Sequence, residues 1–298
     1  MPMFDLKSFF AAHEIVDGGR FERLSGVDTR NPASLAFVEN ETYLERALAN
    51  PNVSALILTQ ALYEEHRRQL VKPAVVVAHP RFRFWTLHNH LVENGLLGLV
   101  LEPRRGTGCS IHHSAVIADK VSIGDCVTVG ANAVIEEGSV IEEGAVVASG
   151  AVIGAEGMQA ANHPAGTRLF VRHAGGVKLG RGVHVLSNSI VSKAVDPAYT
   201  EIGDDTVVSL LVSVGHNTTI GRRCSIAGNV LIGGSVTVGD DVWIGPSVAI
   251  KDGLTIGAGA RLIMGAVVIQ DVGKGESVSG NFALPHLTNL QSYLKARL

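Results

Sequence analysis

From Ile111 onward an aliphatic residue returns at every sixth position. The first run passes through Ile111, Ile117, Ile123, Val129, Ile135, Ile141, Val147 and Ile153. A short second run holds Leu179, Val185 and Val191, and a third keeps phase from Ile202 to Val268 without a miss. A period of six matches neither the helical repeat nor the simple alternation of a strand. It matches a solenoid in which three six-residue steps, each a short flat strand plus a tight turn, close one triangular coil. The aliphatic side chain points into the prism and stacks on its equivalent in the next coil, with backbones paired about 4.8 Å apart. Gly, Asn and Asp recur at the corners, in IGDC, VGAN, IGDD, VGDD and IGAG. These residues tolerate the left-handed backbone that tight corners need. Paired charges at Glu136–Glu137, Glu142–Glu143 and Asp240–Asp241 read as a solvated rim. The period does not set the handedness of the coil.

Two segments break the phase, one near 155–176 and one near 192–201. A solenoid expels such insertions as loops, often on its working face. The first carries His163, Pro164, Phe170 and His173 and reads either as a flap over a ligand or as a bulge without function. Before residue 105 the repeat is absent. Ala55–Thr59 and Ala74–Ala78 read as buried strands, and Glu41–Ala49 and Phe82–Asn94 as amphipathic helices. Pro80 stands where a helix start tolerates proline. The expected organisation is a small α/β domain over 1–105, a repeat domain over 106–284 and a short helix over 285–298. The stretch PRRGTG at 103–108 reads as the hinge.

Composition narrows the function. Of 298 residues 46% are apolar but only 5% aromatic, and 34 are glycine, which suits a β-rich, turn-rich chain. The net charge of −3 argues against a basic nucleic-acid footprint. Cys109, Cys126 and Cys224 form no CxxC pair and read as reduced thiols. The opening MPMFDLKSFF is too short and too charged for a signal peptide, and no stretch reaches the roughly 20 apolar residues of a membrane span. A cytoplasmic protein with no integral membrane segment is the expectation.

Two places carry candidate chemistry. Phe37, Asn40 and Tyr43 stand in FVENETY, where two aromatics flank an amide. They are either core residues or a sandwich for a flat heterocycle, since a stacked base contributes roughly 1–3 kcal/mol. His216, in VSVGHNTTIG, lies two positions after the inward Val214 and so near a corner on the surface. It is either a solvated corner residue or a general base, a role that suits an imidazole at neutral pH. Gly234 lies one full coil further on, so its N–H falls roughly 5 Å along the axis from His216. His112 and His113 lie at the first coil, His184 is expected to face out, and His79, His88 and His90 precede the repeat. No set of three histidines suggests a zinc site between subunits, so no metal is expected.

With those motifs in place the chain resembles the UDP-3-O-acylglucosamine N-acyltransferases of lipid A synthesis, a hexapeptide-repeat family. FVENETY, VVVAHPRFRFWTL, GAVIGAEGMQ, VSVGHNTTIG and VSGNFALPH carry the resemblance and span most of the sequence. It implies a mainly β protein: a left-handed parallel β-helix with a small N-terminal α/β domain and a short C-terminal helix. It implies that Phe37, Asn40 and Tyr43 hold the uridine, that Asn217 touches substrate, that His216 is the catalytic base and that Gly234 donates its backbone N–H to the oxyanion. The reaction implied is acyl transfer from a thioester to the amine of a UDP-linked amino sugar, for lipid A or a surface glycan. The donor is acyl carrier protein, through its phosphopantetheine, or acyl-CoA, as co-substrate; no tightly bound cofactor is needed. A homotrimer is expected from the resemblance and from the flat faces of a prism.

Several positions depart from the family. Ser209 and Leu210 stand where it often has an Asp–Asn pair, Gly253 where it can carry a second histidine, and Met158 where it has an aromatic. The helical tail is also shorter. DVWIGPSVAIKDGLTIGAGA equally resembles acetyltransferases that use coenzyme A. An acetyl-CoA-dependent nucleotide-amino-sugar N-acetyltransferase and a non-catalytic sugar-nucleotide-binding scaffold therefore stand as alternatives.

Overall fold

The computed structural model describes residues 2–280 and Leu287. The helix expected over 285–298 lies, but for Leu287, outside the described residues. The chain divides into two compact units. One holds residues 1–100 with the insertions 156–176 and 193–198; the other holds 101–155, 177–192 and the chain from 199 onward.

The second unit is a left-handed parallel β-helix. Its strands stack into three parallel sheets of eight, nine and eight strands, beginning with Arg104–Arg105, Ser110–Ile111 and Val116–Ile117 respectively. We call these sheets 1, 2 and 3. Each strand pairs with the one a coil away, as Ile123 does with Ile141, Val208 with Ile226 and Val214 with Ile232. The sixth-position residues fill one continuous core: every member from Ile123 to Val268 is buried, while Ile111 and Ile117 are half-covered at the first coil. Corners take the left-handed backbone at every sixth residue, from Asp205 (φ 58°) through Asn217 (φ 58°) to Gly265 (φ 72°). The outward residues of sheet 3 are mainly apolar, and Val116, Ile190, Leu231 and Val267 are exposed there.

One expectation needs correction. The stretch 103–108 is no hinge, because Arg104–Arg105 pairs with Ser122–Ile123 and opens sheet 1. Thr107 N–H then donates to Asp125 Oδ1 at 2.7 Å, tying that turn to the next coil.

The first unit centres on a four-stranded parallel sheet ordered Arg23–Leu24, Ser34–Phe37, Val53–Leu58 and Ala74–Val76. The last two differ by a residue or two from the expected spans. Helix α1 (Glu41–Ala49) has the expected bounds; α2 (Gln60–His66) follows the third strand, and α3 (Pro80–Glu93) starts two residues early because Pro80 takes its first turn. Within the same unit the insertion 156–176 forms an antiparallel hairpin, Ala160–Asn162 against Arg168–Phe170. Helix α3 holds its far strand: Asn89 Nδ2 donates to the Phe170 carbonyl (2.7 Å) and Asn89 Oδ1 accepts from Arg172 N–H (2.9 Å).

Candidate active site

His216 occupies the corner between Ser213–Val214 in sheet 3 and Thr219–Ile220 in sheet 1. Both insertions interrupt this same passage from sheet 3 to sheet 1, after Val152–Ala155 and after Ile190–Ser192. The imidazole is half-buried and lies against the next coil at Gly234. A Cβ on Gly234 would meet Cε1 and Nε2 of His216 at 2.7 Å and Cδ2 at 3.1 Å, so this coil must be bare here for the ring to lie down. Nδ1 of His216 lies 3.1 Å from Oδ1 of Asn217. With Oδ1 as the acceptor, Nδ1 is the donor in that contact, and Nε2 faces Gly234.

The coil beneath is fixed by buried hydroxyls. Asn217 N–H donates to Thr200 Oγ1 (2.8 Å), while Thr218 Oγ1 donates to the Gly233 carbonyl (2.9 Å) and accepts from Val236 N–H (3.4 Å). At some corners leading out of sheet 1 the N–H at the same step is taken by an aspartate one coil on. Arg181 N–H reaches Asp204 at 2.9 Å and Arg222 N–H reaches Asp240 at 2.8 Å. The pKa of each aspartate is lowered, chiefly by its arginine's side chain at Asp204 and by the backbone N–H at Asp240. Among the described residues the Gly234 N–H has no such partner. The His216 imidazole and the Gly234 N–H thus stand one coil apart.

The expected nucleotide residues lie together in the first unit. Phe37 ends its strand, half-buried, with its ring 5.0 Å from that of Phe84. Asn40 caps α1, its Oδ1 accepting from Tyr43 N–H at 3.0 Å, so part of the amide expected to read a base is spent on the helix. Tyr43 is exposed. Two arginines that sequence reasoning passed over cover these aromatics. Arg81 lies 5.5 Å from the Phe37 centroid and pairs with Glu39 at 2.8 Å; Arg46 lies 5.2 Å from the Tyr43 centroid and pairs with Asp28. VVVAHPRFRFWTL contains Arg81, but nothing in its local pattern points to Phe37.

The departing positions are placed as follows. Ser209 is half-buried and Leu210 exposed at the corner between sheets 2 and 3, Gly253 takes a left-handed corner (φ 74°), and Met158 is 82% exposed. His184 is exposed, as expected. Cys109, Cys126 and Cys224 are free thiols, and burial pushes Cys224 up. Among the described residues no group of three His, Cys, Asp or Glu is arranged to hold a metal, and no helix is long and apolar enough to cross a membrane.

Comparison with known proteins bears on the fold. Residues 120–155 match the family model described as bacterial transferase hexapeptide (six repeats). No curated protein sequence is significantly similar to the chain. Among solved structures, a UDP-N-acetylglucosamine acyltransferase from Campylobacter jejuni is similar over 65% of this chain and 75% of its own, at 19% identity and a TM-score of 0.53. A perosamine N-acetyltransferase mutant from Caulobacter crescentus, in complex with CoA and GDP-perosamine, aligns over 83% of this chain and 92% of its own, at 16% identity and a TM-score of 0.30. The first of these shares the β-helix fold.

Proposed function

We propose that this hexapeptide-repeat protein is an N-acyltransferase acting on a UDP-linked amino sugar, in lipid A or surface-glycan synthesis. The observation that carries the reading is the imidazole of His216 seated over Gly234, whose N–H has no partner among the described residues. In the reaction the sugar amine attacks the thioester carbonyl. Nε2 of His216 takes the amine proton as the C–N bond forms. The Gly234 N–H donates to the developing oxyanion. As the C–S bond breaks, the thiolate leaves and takes the proton from the imidazolium. Phe37 and Tyr43 supply the uracil platform and Asn40 reads its edge; Asn217 orients the histidine as well as lining the substrate. The name of the Campylobacter jejuni neighbour agrees with a sugar-nucleotide acceptor.

The donor is acyl carrier protein or acyl-CoA. The replacements at Leu210, Gly253 and Met158 favour a donor or acceptor shifted from the lipid A enzymes, which keeps acetyl-CoA as a second donor reading. Copies of the chain associate as a homotrimer through sheet 3, whose outward residues are apolar enough to need covering. The protein works in the cytoplasm, where thioester donors and UDP-sugars are both found.

The test is a thiol-release assay with UDP-amino sugars against acyl carrier protein thioesters, long-chain acyl-CoA and acetyl-CoA. Turnover with one donor is expected, falling by about 10²–10⁴ in His216→Ala with the fold retained. Full activity in that variant would overturn the mechanism. UDP binding with no thiol release from any donor would leave a binding scaffold instead, and a monomer by light scattering would remove the trimer.

A further inference from the structure

The sandwich expected for a uracil is not vacant. One side of Phe37 packs on Phe84, which is buried, and the guanidinium of Arg81 lies over the ring. A guanidinium is a flat cation and a pyrimidine a flat neutral ring of similar thickness, and they compete for the same π-face. Arg81 is held there by Glu39, through Nε at 3.0 Å and Nη2 at 2.8 Å to one carboxylate oxygen. Both side chains are largely exposed, 58% for Arg81 and 40% for Glu39, so the pair is readily broken. The arrangement at Tyr43 differs. Arg46 is one helical turn along α1 from that ring, so its stacking is local to the helix, whereas Arg81 reaches Phe37 from another element.

We propose that Arg81 is a specificity-determining residue that makes this site select a nucleotide over a nucleoside. The proposal rests on the uridine-nucleotide reading of Phe37, Asn40 and Tyr43. A base that stacks on Phe37 must first lift Arg81 away, which also breaks the pair with Glu39. A nucleoside offers the displaced guanidinium nothing in return. A nucleoside diphosphate offers phosphate oxygens, which a guanidinium binds through two parallel N–H bonds in place of the carboxylate. Glu39 then acts as the competitor that holds Arg81 until phosphate arrives.

Calorimetric titration of the protein with UDP and with uridine reads this directly. Arg81→Ala is expected to weaken UDP at least tenfold and to leave uridine unchanged or tighter. Glu39→Gln, which releases Arg81 without removing it, is expected to tighten UDP several-fold. A merely structural Arg81, propping Phe37, predicts that both variants weaken both ligands alike; an unchanged ratio of UDP to uridine affinity across the three proteins overturns the proposal. If the parent protein binds neither ligand, the nucleotide reading itself fails and takes the proposal with it.

Discussion

The imidazole of His216 covers Gly234 so closely that a methyl group there would sit 2.7 Å from both Cε1 and Nε2. Gly234 is not in the left-handed backbone region, so alanine is acceptable to the chain itself. The only cost of Gly234→Ala is the displaced ring. Displacing a base by about an ångström is enough to lower a rate about 10²-fold. Gly234→Ala is therefore expected to lose activity on that scale with an unchanged thermal midpoint. Activity within twofold of the parent would mean that the ring does not work from this position.

Thr218 ties the His216 coil to the Gly234 coil from inside. Its hydroxyl is fully buried, donates to the Gly233 carbonyl and accepts from Val236 N–H. Valine matches its shape but leaves both backbone groups without that partner. Thr218→Val is expected to destabilise by about 1–3 kcal/mol, measured by denaturant unfolding. Activity should fall as well, because Gly233 precedes the proposed oxyanion donor. A loss below half a kcal/mol would show that the strand ladder alone sets the coil spacing.

The prism was legible because its inward positions carry one chemistry at one period. The first strand was not, for a physical reason: Arg105 occupies the slot that pairs with Ile123, where no earlier coil covers it and no aliphatic residue is required. His216 and Gly234 were legible from arithmetic, since one coil separates them. Asn40 admitted two readings, a cap and a proposed recognition amide, and its position just before Glu41–Ala49 favours the cap that the structure shows. Arg81 was illegible because its meaning comes from Phe37 and Glu39, which only the folded sheet brings to it.

Leu211 is held at φ 57°, a left-handed conformation that disfavours a branched aliphatic side chain. The equivalent corners one coil away on either side carry Asn188 and Asn229 at φ 59° and 60°. Leu211 is 60% exposed, so little burial is lost on replacing it. Leu211→Asn is expected to stabilise by about 1 kcal/mol, seen as a higher unfolding midpoint. A lower midpoint would mean that the exposed leucine is covered in the assembly, and cross-linking of parent and variant would then show a change in association.

His88 on α3 is buried, with Nε2 2.9 Å from the Arg172 carbonyl of the insertion. Burial lowers its pKa from the ordinary 6.5, against the opposing pull of that carbonyl and of Asp196. A histidine lowered in the folded state stays neutral there while the unfolded chain takes up a proton. Its contribution to stability is therefore complete above about 6.5, is lost as pH falls below that value, and levels off beneath the lowered folded pKa. The unfolding midpoint of the parent should drop across this window. His88→Gln keeps an N–H for the Arg172 carbonyl but cannot titrate, so its stability should change less with pH across the same window, even if it is lower at pH 8. Parallel pH profiles for the two proteins would assign the acid sensitivity to other groups.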